Sequence, residues 1–407
     1  MKKIILFFVS ISQFAIAQTI SKSNLQKNLS YLASDKLNGR GTSSPDEKVA
    51  ADYIASEFKK IGLAAGNTSS YLYNFVFKQG AGLHDTSTAN SKERKGINVL
   101  GYLNNDAPYT IVIGAHFDHL GLGHDKNSLD ANPENKIHNG ADDNASGTVG
   151  VIELANYFAN NNKKEKYNFL FMCFSGEELG LIGSKKWCDQ PTIALNSINY
   201  MINLDMVGRL NDSTKKLLVY GVGTSPVWIP LLDSLKSIFS IKKDSAGIGP
   251  SDQTSFYLKD IPVLHFFTGQ HSDYHKPSDD AEKINYKGEV EVLNFIVKII
   301  EALDNSPKLT FLKTRNTESG KSSFKVTMGI MPDYAFEGKG VRVDGVSDNK
   351  PAAKAGVLRG DVIIKFSDLN IGTIQDYMKG LQKFNKGETT KIKVLRDGKE
   401  IELNVTF

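Results

Sequence analysis

From Ile97 to Leu303 the chain alternates between short apolar runs and longer stretches whose apolar residues recur every three or four positions. The runs Ile97–Leu103, Tyr109–Ile113, Asn168–Phe174, Tyr200–Leu204, Leu217–Val222 and Ile261–Phe267 are rich in β-branched and aromatic residues with little polar alternation. That is the pattern of strands buried on both faces. Between them, 146–160, 178–188, 225–240 and 286–303 carry helical periodicity. Strand–helix alternation of this length predicts an α/β domain with a mostly parallel sheet covered by helices on both faces. Two amphipathic helices are expected earlier. Residues 23–35 align Leu25, Leu29 and Leu32; Asp46 to Ile61 aligns Val49, Tyr53, Ile54 and Phe58, and Gly62 supplies a stop. Tyr71–Phe77 reads as a further strand.

The alternation ends at Asp304-Asn305-Ser306-Pro307, and the polar, charged stretch 313–323 has little to bury. The expected organisation is a larger α/β unit over 18–305, a linker over 306–323 and a small β-rich domain over 324–407. Met1–Ala17 joins a basic start (Lys2, Lys3) to an apolar core and to Ala15-Ile16-Ala17, which predicts a cleaved export signal and an exported, periplasmic or extracellular protein. No other stretch is long enough to span a bilayer. Of the 407 residues, 40% are apolar and 23% charged, ordinary for a globular protein. The formal charge of +4 falls by two without Lys2 and Lys3, so nothing calls for nucleic acid or a membrane surface as partner. Cys173 lies in an apolar strand and Cys188 in a helix; two buried thiols are the favoured reading.

The chemistry gathers at strand ends. Ile111-Val112-Ile113 runs into His116, Asp118 and His119; Phe169–Phe174 into Ser175-Gly176-Glu177-Glu178; Ile202-Asn203-Leu204 into Asp205. In open α/β sheets, sites form at the carboxyl ends of strands. Imidazole with carboxylate suits zinc and other borderline dications. With Asp142 and with His275 in a later loop, five candidate ligands lie on successive loops: His116, Asp142, Glu178, Asp205 and His275.

The segments His116-Phe117-Asp118, Gly140–Gly147, Gly176–Gly180, Asn203–Met206 and Tyr274–Pro277 resemble the motif set of the co-catalytic zinc exopeptidases. That family includes secreted bacterial aminopeptidases, glutamate carboxypeptidases and glutaminyl cyclases. Leu37-Asn-Gly-Arg-Gly41 and the helix after it also resemble it. The resemblance implies a three-layer α/β/α fold and two Zn2+ per chain bridged by Asp142. His116 and Glu178 would complete one site, Asp205 and His275 the other. Two dications sharing one water would acidify it to a bridging hydroxide. Glu177 would be the general base, and Asp118 would accept the His116 ring N–H. Tyr274 would donate to the oxyanion of the tetrahedral intermediate. The family's cis bond falls between the two aspartates, here Asp142 and Asp143. His119 reads as a support, and His265 and His271 match no ligand position. Gln253 stands where the family often has His, so no catalytic role is carried to it.

Residues 324–407 resemble a PDZ domain, through Met328–Asp333, Gly340–Val346, Pro351–Gly356 and Leu358–Ile364. Met328-Gly329-Ile330 would then offer backbone N–H groups to a peptide C-terminus. The expected function is a secreted metallo-exopeptidase, an aminopeptidase first. A carboxypeptidase, dipeptidase or glutaminyl cyclase on the same fold, and an inert peptide-binding envelope scaffold, are the alternatives.

Overall fold

A computed structural model of the chain describes residues 18–79, 92–125, 127–314, 326–332, 336, 338–346 and 350–407. The expected export signal and the stretch 315–323 lie outside the described residues.

The catalytic unit runs in the order α1 (Lys22–Leu32), α2 (Pro45–Ile61), β1 (Ala64–Ala65), β2 (Leu72–Gln79), β3 (Lys92–Leu103), β4 (Thr110–His116), α3 (Gly147–Asn160), β5 (Asn168–Phe174), α4 (Ile182–Asp189), β6 (Ile198–Leu204), β7 (Lys216–Tyr220), α5 (Trp228–Ser234), β8 (Ser240–Asp244), α6 (Gln253–Tyr257), β9 (Val263–Phe267) and α7 (Tyr286–Leu303). Helix α2 starts where Ser44 Oγ accepts the Glu47 N–H, with Pro45 in its first turn, and stops at Gly62 with φ 92°. Asn285 caps α7 in the same way through the Gly288 N–H.

The strands lie in the order β1-β3-β5-β4-β6-β9-β7-β8, with β2 also on β3. Strands β5, β4, β6 and β9 are mutually parallel. Strand β3 joins β5 antiparallel, and β7 joins β9 antiparallel. The sheet is therefore mixed, with a parallel centre and antiparallel margins. Periodicity locates a strand but carries no information on its direction. Alternation along β5 sends Phe169, Phe171 and Cys173 into the core under α1, α2, α3 and α7, and Leu170, Met172 and Phe174 into the core shared with Trp187 of α4 and Phe256 of α6. Three layers result. Both cysteines are buried free thiols.

Three expectations shift. The helix expected over 225–240 ends at Ser234, and β8 follows as an edge strand. The helix expected from 178 begins at Ile182, because Gly176, Gly180 and Leu181 all have positive φ and turn the chain first. The linker expected from 306 is shorter: Leu309 is buried in the core, its N–H donating to Asn199 Oδ1 (2.7 Å), and the Leu312 N–H reaches the Thr224 carbonyl (2.8 Å).

The C-terminal domain consists of β10 (Ile330–Pro332), β11 (Val341–Val346), α8 (Pro351–Lys354), β12 (Val362–Phe366), β13 (Leu369–Asn370), α9 (Ile374–Gln382), β14 (Thr389–Arg396) and β15 (Lys399–Thr406). They form an antiparallel sheet around Met328, Val343, Ile363, Phe366 and Val394. Thr373 and Asp376 cap α9 reciprocally.

Candidate metal centre

His116 is the last residue of β4, and Asp205 directly follows the neighbouring parallel strand β6. Their side chains meet: His116 Nε2 lies 3.5 Å from Asp205 Oδ1 and 3.4 Å from Asp143 Oδ1. On the other side of Asp143, His275 Nε2 lies 3.2 Å from Asp143 Oδ2 and 3.1 Å from Glu178 Oε2. His119 Nδ1 adds a 2.8 Å contact to Glu178 Oε1. The result is two ligand groups, His116/Asp205 and Glu178 with His275 and His119, sharing the Asp143 carboxylate.

The chemistry of this donor set fits a pair of dications. His116 Nδ1 faces the Asp118 carbonyl at 3.2 Å, and His275 Nδ1 faces the Asn127 carbonyl at 2.8 Å. Each ring proton is thereby assigned to Nδ1, so each Nε2 presents a lone pair to carboxylate oxygens that are themselves acceptors. Asp143 Oδ2 is buried with no hydrogen-bond partner. Acceptors converging on acceptors in a buried site need a proton or a cation between them, and a set of imidazoles and carboxylates suits a dication.

Three sequence expectations are corrected by this geometry. Asp142 is not the shared carboxylate. Its Oδ1 accepts from the Gly208 N–H (2.7 Å) and Ser146 Oγ (3.0 Å), and its Oδ2 faces His271 Nε2 (3.1 Å), so it braces the surrounding loops while Asp143 faces the cluster. The pairing also differs: His116 goes with Asp205 and Glu178 with His275, because Asp205 directly follows β6 beside the end of β4, while Glu178 lies past the turn at Gly176 and meets His119. Asp118 does face the His116 ring: its backbone carbonyl lies 3.2 Å and its Oδ1 3.7 Å from Nδ1, and its carboxylate also accepts from Thr42 Oγ1 (2.7 Å) and the Glu177 N–H (3.2 Å). The cis peptide joins Asp143 to Asn144, one bond later than the resemblance implies.

Glu177 and Glu178 diverge as consecutive side chains must. Glu177 Oε2 stands 3.8 Å from His116 Nε2, beside the first group. Burial pushes its carboxyl well above the usual range; Glu178 and Asp205 push the same way, against the pull of His116. The Tyr274 ring stacks on His275 with centroids 3.9 Å apart and lines a cavity of about 70 Å³ at the cluster. Larger grooves of about 490 and 330 Å³ touch none of these residues.

The supports were harder to read from the sequence. His275 has φ 54°, and its carbonyl is held by the Leu129 N–H (2.9 Å) in the long loop after β4. Asp279 Oδ2 accepts the backbone N–H groups of both Asp142 (2.9 Å) and Asp143 (3.0 Å). Arg40 is fully buried and donates to the carbonyls of Phe117 (2.5 Å), Leu32 (3.1 Å), Gly140 (2.7 Å) and Asn139. One guanidinium therefore ties the His116 loop to the Asp143 loop. Burial lowers its pKa to about 10 against the opposing effect of nearby carboxylates. The Gly39-Arg40-Gly41 sequence was the available signal: a Cβ on Gly39 would sit 2.4 Å from the His138 carbonyl oxygen.

A carboxylate-bridged imidazole cluster where parallel strands end, with a separate buried carboxyl beside it, defines a metal-dependent hydrolase. Residues 98–300 match the model of peptidase family M28 and residues 313–407 that of the PDZ domain, so the chain is an M28-family metallopeptidase with a C-terminal PDZ domain. A probable leucine aminopeptidase of Trichophyton verrucosum is 24% identical over 304 residues, covering 71% of this chain and 73% of that protein. The fold is shared with a zinc aminopeptidase from Bacillus subtilis (TM-score 0.55, 15% identity, 75% of this chain and 98% of that one). It is also shared with the LapA aminopeptidase of Legionella pneumophila (TM-score 0.52, 20% identity, 70% and 73%).

Proposed function

We propose that the chain is an exported zinc aminopeptidase that binds two ions through His116, Asp143, Asp205, Glu178 and His275. The observation that carries this reading is the lining of the cavity beside the cluster: no lysine or arginine lines it among the described residues, so it offers no cationic side chain to hold the terminal carboxylate that a carboxypeptidase must bind. Two ligand groups sharing Asp143 favour a two-ion peptidase over a one-ion cyclase, and the complete set favours catalysis over an inert scaffold.

When bound, the dications acidify a shared water and polarise the scissile carbonyl. The rest falls to side chains. Glu177, raised in pKa beside the cluster, takes a proton from the attacking water and returns it to the leaving amine. His116 and His275 keep their orientation through the Asp118 and Asn127 carbonyls. Tyr274, stacked on His275, is placed in this reading to donate to the carbonyl oxygen as charge develops there.

Free-amine, N-acetylated and N-terminal glutaminyl peptides, digested side by side with and without chelator, test the assignment. Chelator-sensitive release of the first residue from free-amine peptides alone is expected. Release from the carboxyl end, or chelator-insensitive cleavage, would overturn it. Export rests on the Met1–Ala17 pattern, and a secreted chain beginning at Gln18 by mass spectrometry is the expected outcome.

In the PDZ domain, β10 pairs only with β11 among the described residues, and Gly329 before it has φ 72°. That supports capture of a peptide C-terminus at Met328-Gly329-Ile330, by addition to the β10 edge.

A further inference from the structure

The cavity beside the cluster contains two polar groups that the proposed reaction does not use. His265 and Phe267 leave the same face of β9, stack with ring centroids 6.3 Å apart and both line the cavity. His265 is 2% exposed. Its Nδ1 lies 3.1 Å from Asn203 Nδ2, and that amide is anchored by Ser251 Oγ at 2.8 Å. With the amide N–H donating to Nδ1, the ring proton sits on Nε2. Burial lowers the imidazole pKa to about 4, so the ring is a neutral donor. Gln270 lines the same cavity after Gly269 (φ 106°), and its Oε1 is buried without a hydrogen-bond partner. The neighbouring walls are Met206, Phe267 and Tyr274, and Met206 packs with Phe267 in one apolar cluster that Tyr274 leans against.

A polar atom left unpaired in such surroundings is destabilising. A purely aliphatic substrate side chain would displace water from both groups and leave them so. The substrate ammonium is not the partner of His265, since it has only N–H groups to offer and the ring presents an N–H donor. One donor and one acceptor beside the apolar wall of Met206 and Phe267 match a side chain that itself offers both.

We propose that His265 and Gln270 select substrates whose N-terminal residue carries a hydroxyl or carboxamide side chain, threonine or asparagine for instance, over isosteric aliphatic ones. His265 Nε2–H donates to the side-chain oxygen, and Gln270 Oε1 accepts from its O–H or N–H. This rests on the aminopeptidase reading. Sites built to hydrogen-bond a substrate group discriminate strongly against analogues that lack it.

The test compares kcat/KM for aminoacyl reporter substrates in near-isosteric pairs, Thr against Val and Asn against Leu, on the full chain with zinc. The polar member of each pair is expected to lead by roughly tenfold or more. His265→Leu and Gln270→Met should each drive the ratios towards unity or invert them. Val and Leu equal to or faster than Thr and Asn in the wild-type protein would overturn the proposal, as would ratios that neither variant moves. The wild-type pairs decide the matter even where a variant does not fold. Cleavage with an aliphatic preference sinks this proposal alone. Failure to cleave any free-amine substrate sinks the aminopeptidase reading and this proposal with it.

Discussion

The exchange of roles between the two adjacent aspartates yields the sharpest prediction. Asp143 places one oxygen 3.4 Å from His116 Nε2 and the other 3.2 Å from His275 Nε2, so it serves both halves of the cluster. Asp143→Asn removes a unit charge at the centre. Two unit charges about 4 Å apart at an effective dielectric of about 20 interact by about 4 kcal/mol. A dication at least matches that, so metal affinity should fall by about three decades. Asp142→Asn acts otherwise. Its bonds go to the Gly208 N–H, Ser146 and His271, and asparagine keeps one acceptor for them. Loss of a supporting contact around a metal site costs about 10–100-fold in affinity. Competition with a chromogenic chelator at fixed pH measures both, with circular dichroism to confirm that each variant is folded. If Asp142→Asn lost three decades while Asp143→Asn stayed within tenfold of wild type, the shared role would return to Asp142 and the assigned geometry would fail.

Three further outcomes follow from the same contacts. Glu177→Gln should retain metal while kcat drops by about 10²–10⁴; near-normal turnover would remove Glu177 as the proton carrier. Arg40→Met strands the buried carbonyls of Leu32, Phe117, Asn139 and Gly140, at about 1–3 kcal/mol for each that finds no water. A loss of at least about 3 kcal/mol in urea unfolding is expected, and an unchanged midpoint would show that Arg40 is not the clip between the ligand loops. Burial raises the Glu47 carboxyl to about 7, outweighing its bonds from Ser175, Ser43 and Ile97. The folded state therefore favours the protonated form: the contribution is fully present below about pH 4.5 and is lost as pH rises through about 7, roughly 3 kcal/mol in all. Glu47→Gln in metal-free protein should remove that loss between pH 4.5 and 8, and denaturation curves that stay parallel in the two proteins would contradict it.

Much of the architecture was legible along the chain. Apolar runs such as Phe169–Phe174 can only be buried on both faces, and the helical stretches between them demand covering layers. Ligand-type residues at successive strand ends announced the site, since loop ends in such a sheet share one edge. Less local features were not legible. Strand direction in β3 and β7 depends on which neighbour each one meets. The residues 240–244 could pair only once β7 stood beside them.

The sequence by itself determined that the chain folds as an α/β layer structure with a PDZ-like appendage, and that imidazoles and carboxylates gather at one sheet edge. Only the tertiary structure decided which of Asp142 and Asp143 faces inward, which imidazole partners which carboxylate, and that Arg40 and Asp279 hold the ligand loops. The reason is physical. Burial patterns are periodic along the chain and so can be read from it. The aim of a side chain in an irregular loop is set by backbone hydrogen bonds to segments about 100 residues or more away, such as Arg40 to Gly140 and Asp279 to Asp143.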